Sequence, residues 1–467
     1  MTITSELIKK GSKIHFVGIG GIGMSALAQV MLKRGYRVSG SDFKKSEITD
    51  QLQKNGCDIT IGSDIPLSPS HIVIYSSAVS PASRQLKEAR QQRIPIFHRS
   101  ELLSFVMKEK TSIGVTGTHG KTTTSALISF LAQESGLKPT CLIGGVMLNY
   151  HTNALIGEDD IVIAEVDESD KSLLNIHPKI AVITNLEEDH LDIYNNLEDI
   201  KNTSMEFIHG IDEGGSVVYN YDDENLRCII ERAHKKGISF GREDGATIRA
   251  KNIRYEGTRT SFELYAEGYF IGTVITPFSG LHNVYNTLAA LTPFFILDIN
   301  LKKLCSLLLQ FKGTERRIEI KYQDNDIVVI DDYAHHPTEI MATLEVLQRM
   351  KMPEQKVVVV FEPHRYSRTM HLGEKFGTCF NGVDQVVITN IYGAGEAFIE
   401  GVDETIISKA IEREGTPPVV CQDINNVISY LIQKSYKRAI IAFLGAGDIT
   451  HIANEFSMFL KKETVET

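Results

Sequence analysis

Short apolar runs alternate with stretches of helical period along the chain, in three successive groups. In the first, residues 14–17 form an apolar run that enters a glycine turn, and Met24, Leu27, Ala28, Met31 and Leu32 then recur at the spacing of one helix face. Residues 36–40 and 71–75 supply further strands. The second group opens at 112–115, again running into glycines, and continues through 161–166 and 180–184. The third has its apolar runs at 327–330, 357–361, 386–389 and 440–444, the last ending in Gly445, Ala446 and Gly447. Strands alternating with helices predict parallel sheets wrapped by helices, so an α/β fold of three domains is expected, placed at residues 1–109, 110–313 and 314–467. Inside the second domain, Ile248, Ile253, Phe262, Leu264, Ile271 and Val274 fall in alternating runs broken by Gly257, Gly268 and Gly272. That pattern predicts a small inserted antiparallel sheet.

Composition changes the picture mainly by exclusion. With 42% hydrophobic and 23% charged residues, each domain can bury a core, and a disordered chain is ruled out. Lys+Arg at 49 against Asp+Glu at 59 leaves a formal charge of −10, which argues against nucleic-acid binding by bulk charge. Six scattered cysteines show no C-x-x-C pair and read as reduced thiols. No apolar stretch approaches the roughly 18 residues of a membrane span, and the opening residues carry no signal-peptide pattern, so no membrane association and a cytoplasmic location are expected.

The chemistry collects at strand ends. Gly18, Gly20, Gly21, Ile22, Gly23 and Met24 follow the first strand in a G-x-G-x-x-G turn, and Asp42 follows the second about where a ribose-binding acid would sit. Such glycines let backbone approach a diphosphate at a helix N-terminus, whatever the diphosphate carries. Gly117, Thr118, His119, Gly120, Lys121, Thr122 and Thr123 follow another strand and form a phosphate loop, a T-G-T-x-G-K-T variant with Val115 where the strict motif has glycine. Its N–H groups would wrap ATP phosphates, Lys121 would offset their charge and Thr122 would ligate Mg²⁺. The acidic clusters at 165–170 and 185–192 also end strands, where a metal-phosphate site needs oxygen ligands. Asn283 and Asn286 share a face at the start of an alanine-rich helix and suit either an adenine edge or a helix cap. Residues 331–337 and 362–369 each close an apolar strand and read as a polar rim for a small zwitterionic or anionic substrate.

In this order, the glycine turn, T-G-T-H-G-K-T, Asp-Glu-Ser-Asp, Glu-Asp-His, His-Asn-x-x-Asn, Arg-Arg, Asp-Asp-Tyr-x-His-His-Pro and Pro-His-Arg-Tyr-x-Arg span nearly the whole chain. Together they resemble the Mur ligases, the ATP-dependent amino-acid ligases of peptidoglycan synthesis. The resemblance implies an N-terminal Rossmann-like UDP-binding domain, a central ATPase domain and a C-terminal Rossmann-like domain that closes over the site. It implies that L-alanine is joined to the carboxylate of UDP-N-acetylmuramate through an acyl phosphate and a tetrahedral intermediate, with ATP as co-substrate and Mg²⁺ as cofactor.

By the same resemblance Gly18, Gly20, Gly21, Ile22, Gly23, Met24, Asp42, Ser76, Ser77, His98 and Arg99 belong to the UDP-sugar site. Thr122, Glu165 and His190 would hold metal, and Lys121, Glu165, His190, Arg317 and Asp332 would be catalytic. Gly117 through Thr123, Asn283, Asn286, Arg317 and Asp332 would bind ATP; Tyr333, His335, His336, Arg365 and Arg368 would bind the amino acid. Met205 stands where several relatives carry a carbamylated lysine, and Lys201 gives no basis for that modification. Glu362 stands where Gln is usual and adds charge near an anionic substrate. Rival readings are a ligase that recycles a tripeptide onto the same acceptor, a nucleotide-sugar-binding regulator and an NAD-dependent dehydrogenase. A monomer and a homodimer are both consistent with the sequence.

Overall fold

The computed structural model describes residues 3–466 apart from 109, 191, 192, 236 and 416–418. Leu191 and Asp192 of the second acidic cluster, and residue 109 at the first expected boundary, thus lie outside the described residues. The chain forms an α/β fold around three sheets. The first is wholly parallel, ordered Asp58–Ile61, Arg37–Asp42, Lys13–Val17, Ile72–Tyr75, Ile96–His98. Its order reverses direction beside Lys13–Val17, so the glycine turn after that strand lies at a topological switch point, where open α/β sheets bind ligands.

The second sheet has ten strands. Its parallel centre runs Gly237–Gly241, Ser216–Asn220, Ile180–Ile183, Thr111–Thr116, Ile161–Glu165 and Thr140–Met147, closed at one edge by antiparallel Thr152–Leu155. At the other edge Ile248–Glu256, Arg259–Ala266 and Tyr269–Thr276 form the expected antiparallel strands. They are not a separate sheet, however: Phe240 pairs parallel with Ile248, so the antiparallel strands extend the central sheet directly. Burial alternates along Arg259–Ala266, as a strand with one covered face requires. The third sheet places Ala439–Leu444 between Ile327–Asp332 and Lys356–Phe361, all three parallel, with Glu319–Gln323 antiparallel at the edge.

The cores join unequally. One buried cluster runs from Ile14, Leu27 and Val106 of the first domain into Leu142, Val162, Ala181 and Phe207 of the central domain. Asn153, on the central edge strand, donates to the Ile22 carbonyl at 2.6 Å, fixing the start of the helix Ile22–Lys33. The third domain keeps separate apolar clusters around Ile330, Val359 and Ile388 and around Val329, Val358 and Ile441. Among the described residues no helix is long and apolar enough to cross a membrane.

Candidate active site

The strand Thr111–Thr116 ends in Gly117, whose φ of 125° suits glycine, and a Cβ there would lie 2.3 Å from Thr184 Oγ1. Gly120, at φ 81°, precedes the helix Lys121–Glu134 and provides no side-chain cap, so first-turn N–H groups face outward as an anion seat. Asn185, from the next strand end, clasps the loop: its Oδ1 accepts from His119 N and its Nδ2 donates to His119 O, both at 2.9 Å. Lys121 Nζ folds back onto the carbonyls of Gly117 and Thr118, at 2.7 and 3.0 Å, and onto Glu168 at 2.8 Å. Burial works against the ammonium, yet Glu168 holds its pKa above the ordinary lysine value.

Beside this loop Glu165 accepts from Thr122 Oγ1 at 3.1 Å and from Gly144 N at 2.8 Å. Burial raises its pKa despite Lys121. His190, in the left-handed region at φ 54°, puts Nε2 3.5 Å from Glu168 Oε1. The second oxygen of Glu168 is buried without a hydrogen-bond partner. The Thr122 hydroxyl and the carboxylates of Glu165 and Glu168 are oxygen donors that fit a hard cation such as Mg²⁺, and His190 stands beside them against Glu168.

A cavity of about 380 Å³ opens from the phosphate loop between the central and third domains. Asn283 and Asn286 line it from the helix Leu281–Ile296, and Asn286 is tied to Thr124 at 3.3 Å. Arg317 and Asp332 enter from the third domain. Asp332 accepts from Ala334 N at 2.8 Å and Ile318 N at 2.6 Å. Burial pushes its carboxyl up to about 6, against the pull of Arg317. The dimensions suit a nucleotide.

At the first domain, Gly20 N donates to Asp42 Oδ2 at 2.8 Å, so this carboxylate braces the glycine turn. Gly21 starts the helix Ile22–Lys33 with no side-chain cap, as Gly120 does for its helix, although Gly21 is extended where Gly120 is left-handed. Ser77 Oγ meets His98 Nε2 at 3.0 Å and also contacts Asp170, while Arg99 pairs with Asp167 at 2.6 Å. Despite burial, Arg99 and Lys121 lower Asp167 to about 2. The acidic loop 165–170 therefore touches the phosphate loop on one side and the first-domain rim on the other. Ser76 closes the local turn by accepting from Val79 N at 2.9 Å.

At the far rim, Arg368 pairs with Asp189 at 3.2 Å across the two domains, with side chains only 7% and 9% exposed. Burial notwithstanding, Arg368 and then His190 hold Asp189 well below the usual carboxylate range. His335 lies edge-on to Tyr333 and His364, and burial lowers it to about 3, keeping the ring neutral. Arg365 lies 3.8 Å from Glu396. His336 turns the other way, its ring centroid 5.0 Å from that of His119, so it sits with the phosphate loop rather than with Arg365. Glu362 does not face the rim: it is 2% exposed and accepts from Ile449 N at 3.2 Å, capping the last helix, Ile449–Glu466.

Sequence profiles described as "Mur ligase family, catalytic domain", "Mur ligase middle domain" and "Mur ligase, glutamate ligase domain" match residues 13–111, 115–293 and 316–447. A protein of Desulfotalea psychrophila named UDP-N-acetylmuramate–L-alanine ligase is 39% identical over 98% of this chain and all of its own length. One of the same name from Geotalea daltonii is 41% identical over 94% of this chain and 96% of its own. The chain belongs to the Mur ligase family. Among solved structures, UDP-N-acetylmuramate–alanine ligase of Thermotoga maritima superposes with a TM-score of 0.83 at 29% identity, covering 97% of this chain and all of that one. A murein peptide ligase of Psychrobacter arcticus shares the fold, with a TM-score of 0.72 at 22% identity over 96% of this chain and 99% of its own.

In this Mur ligase the motifs converge, but several participants escaped sequence reasoning. Asn185 and Asp189 lie in the second acidic cluster, where the sequence assigned neither a role of its own, and their roles depend on partners 66 and 179 residues away. Glu339 meets His119 at 3.2 Å and Arg317 at 3.9 Å, and Thr338 donates to Glu187 at 2.9 Å. The one available signal was the Thr-Glu pair just inside a helix that starts at Pro337.

Proposed function

We infer that the chain is an ATP-dependent ligase that joins L-alanine to the carboxylate of UDP-N-acetylmuramate during peptidoglycan precursor synthesis. The observation that carries this is the acidic loop 165–170, which contacts Lys121 of the phosphate loop and Ser77, His98 and Arg99 of the first-domain rim. A phosphoryl donor and a carboxylate acceptor held on either side of one loop can be brought into line. Residues 1–109 bind the UDP-sugar with Gly18 to Met24 at the diphosphate, residues 110–313 bind ATP, and residues 314–467 close over both.

A free carboxylate is a poor electrophile, so transfer of the γ-phosphoryl group onto it supplies a leaving group. Lys121 releases Glu168 and the loop carbonyls to meet the phosphates and offsets the charge that spreads over their oxygens. When bound, Mg²⁺ adds charge neutralisation at the transferred phosphoryl group, held by Thr122, Glu165 and His190. Arg365 and Arg368 receive the amino-acid carboxylate, and the attacking amine gives a tetrahedral intermediate that expels phosphate. Closure of the third domain keeps water from the acyl phosphate.

Phosphate release from ATP and Mg²⁺ with UDP-N-acetylmuramate tests the proposal, comparing L-alanine, the cell-wall tripeptide and no amino acid. Release dependent on L-alanine, with a product heavier by one alanyl residue, is expected. Release only with tripeptide reassigns the acceptor, and no release in any arm overturns ligation.

A further inference from the structure

At the edge of the nucleotide cavity, away from the Thr122, Glu165 and His190 donor set, His119, Glu187 and His336 each offer a ligand atom, all within 4.8 Å of one another. The Nε2 atoms of both His119 and His336 are buried without a hydrogen-bond partner. His336 as a whole is 6% exposed. A buried ring nitrogen left unpaired, as at His336, is uncommon and calls for a partner that the protein does not itself supply; His119 Nε2 has only the Glu187 carboxylate, beyond hydrogen-bond reach. The other atoms of His119 and Glu187 are held as the outer shell of a metal site holds its ligands. His119 Nδ1 is 3.2 Å from Glu339 Oε1, which orients the ring and leaves Nε2 directed away from that carboxylate. Glu187 Oε2 accepts from Thr338 Oγ1 at 2.9 Å and lies 3.6 Å from His119 Nε2.

We propose that His119, Glu187 and His336 form a site for a zinc-class divalent cation, separate from the magnesium site. Two imidazoles and one carboxylate select a borderline-soft cation over Mg²⁺, which prefers oxygen, and three protein ligands leave one position open. His119 and Glu187 come from the central domain and His336 from the third, so the cation ties the two across the mouth of the nucleotide cavity. Binding must displace protons. At His336, Nδ1 accepts from Thr338 N over a long 3.3 Å, a contact given up when that nitrogen takes the ring proton.

The test is titration of the full-length, nucleotide-free protein with Co²⁺ in excess Mg²⁺, which keeps the oxygen-rich site filled. One saturable equivalent with the intense visible absorption of four-coordinate cobalt, displaced by one equivalent of Zn²⁺, is expected. His336→Ser keeps a helix-capping hydroxyl without a ring nitrogen, and Glu187→Gln removes the anionic ligand. Each should weaken cobalt binding at least about tenfold and lose the four-coordinate spectrum. Absence of that spectrum in the wild type overturns the proposal, as does its survival in both variants. If His336→Ser loses its native circular dichroism, Glu187→Gln decides. Because the readout is metal binding, it stands or falls independently of the ligase reaction.

Discussion

The phosphate loop and the Gly445-Ala446-Gly447 turn are the same device built twice, a buried strand running through glycines into a helix, and they end differently. At Gly120 nothing from the chain caps the helix, and Lys121 is stored on carbonyls it can leave. At the other turn the chain fills its own seat. Glu362 accepts from Ile449 N, and Arg316 donates to the carbonyls of Gly445, Ala446 and Gly447 at 2.5, 3.5 and 3.2 Å. A Cβ on Gly447 would fall 2.5 Å from Glu362 Oε2, so here glycine makes room for a carboxylate of the protein rather than for a ligand. The glycine pattern thus specifies a helix end that backbone can approach closely. Which anion occupies it is decided by side chains from elsewhere in the chain.

The largest effect that sharpens this contrast is expected from Lys121→Ala. Ligation should fall by on the order of 10³-fold, since a charge directed at the phosphoryl group is lost. A thermal shift induced by the UDP-sugar should persist if its site is the first domain, as proposed; differential scanning fluorimetry checks this. Equal loss of both would break the division between the two nucleotide ends. Gly117→Ala comes next. Its strained φ and the overlap with Thr184 should destabilise the loop by about 1–3 kcal/mol and abolish the ATP-induced thermal shift.

Glu362→Gln probes the closed turn. Burial, against the Ile449 N–H, pushes Glu362 up to about 7 from 4.5. A raised folded-state pKa contributes stability that is fully present below 4.5 and lost as pH rises through about 7. Glutamine keeps an acceptor for Ile449 without the charge, so the variant should gain up to about 3 kcal/mol above pH 8 and almost nothing at pH 4. Urea unfolding at the two pH values measures it, and an equal gain at both would show that charge is not the cause. The smallest effect belongs to Lys375, whose 3.5 Å pairing with Glu188 joins the central and third domains through two well-exposed side chains. Lys375→Ala should change stability by less than about 0.5 kcal/mol, read from the same unfolding curves.

The three α/β units and the glycine turns ahead of Ile22–Lys33 and Lys121–Glu134 were legible because their constraints are local: a period of hydrophobic residues, a glycine where φ is positive, a lysine at a helix start. Glu362 was misleading for the opposite reason. In the sequence it is a charge beside a candidate arginine rim, and only the packing of Ile449–Glu466 against its strand end turns it inward. His336 follows two residues that belong to the rim, yet capping the helix at Pro337 rotates its ring toward His119. Continuation of the central sheet into Ile248–Thr276 was equally hidden, because strand alternation reports which face is covered and not which neighbour pairs.

The unequal joining of the cores turns the enzyme into a vice with one fixed jaw. An apolar seam anchors the first domain to the central sheet, so the distance from its glycine turn to the phosphate loop is a built-in length. Polar links hold the opposite jaw: the buried pair of Arg368 with Asp189, and the exposed pair of Lys375 with Glu188, which is open to screening by salt where an apolar seam is not. On the proposed function, gripping and release fall to that one hinge, and the acceptor stays in register while ATP and amino acid come and go.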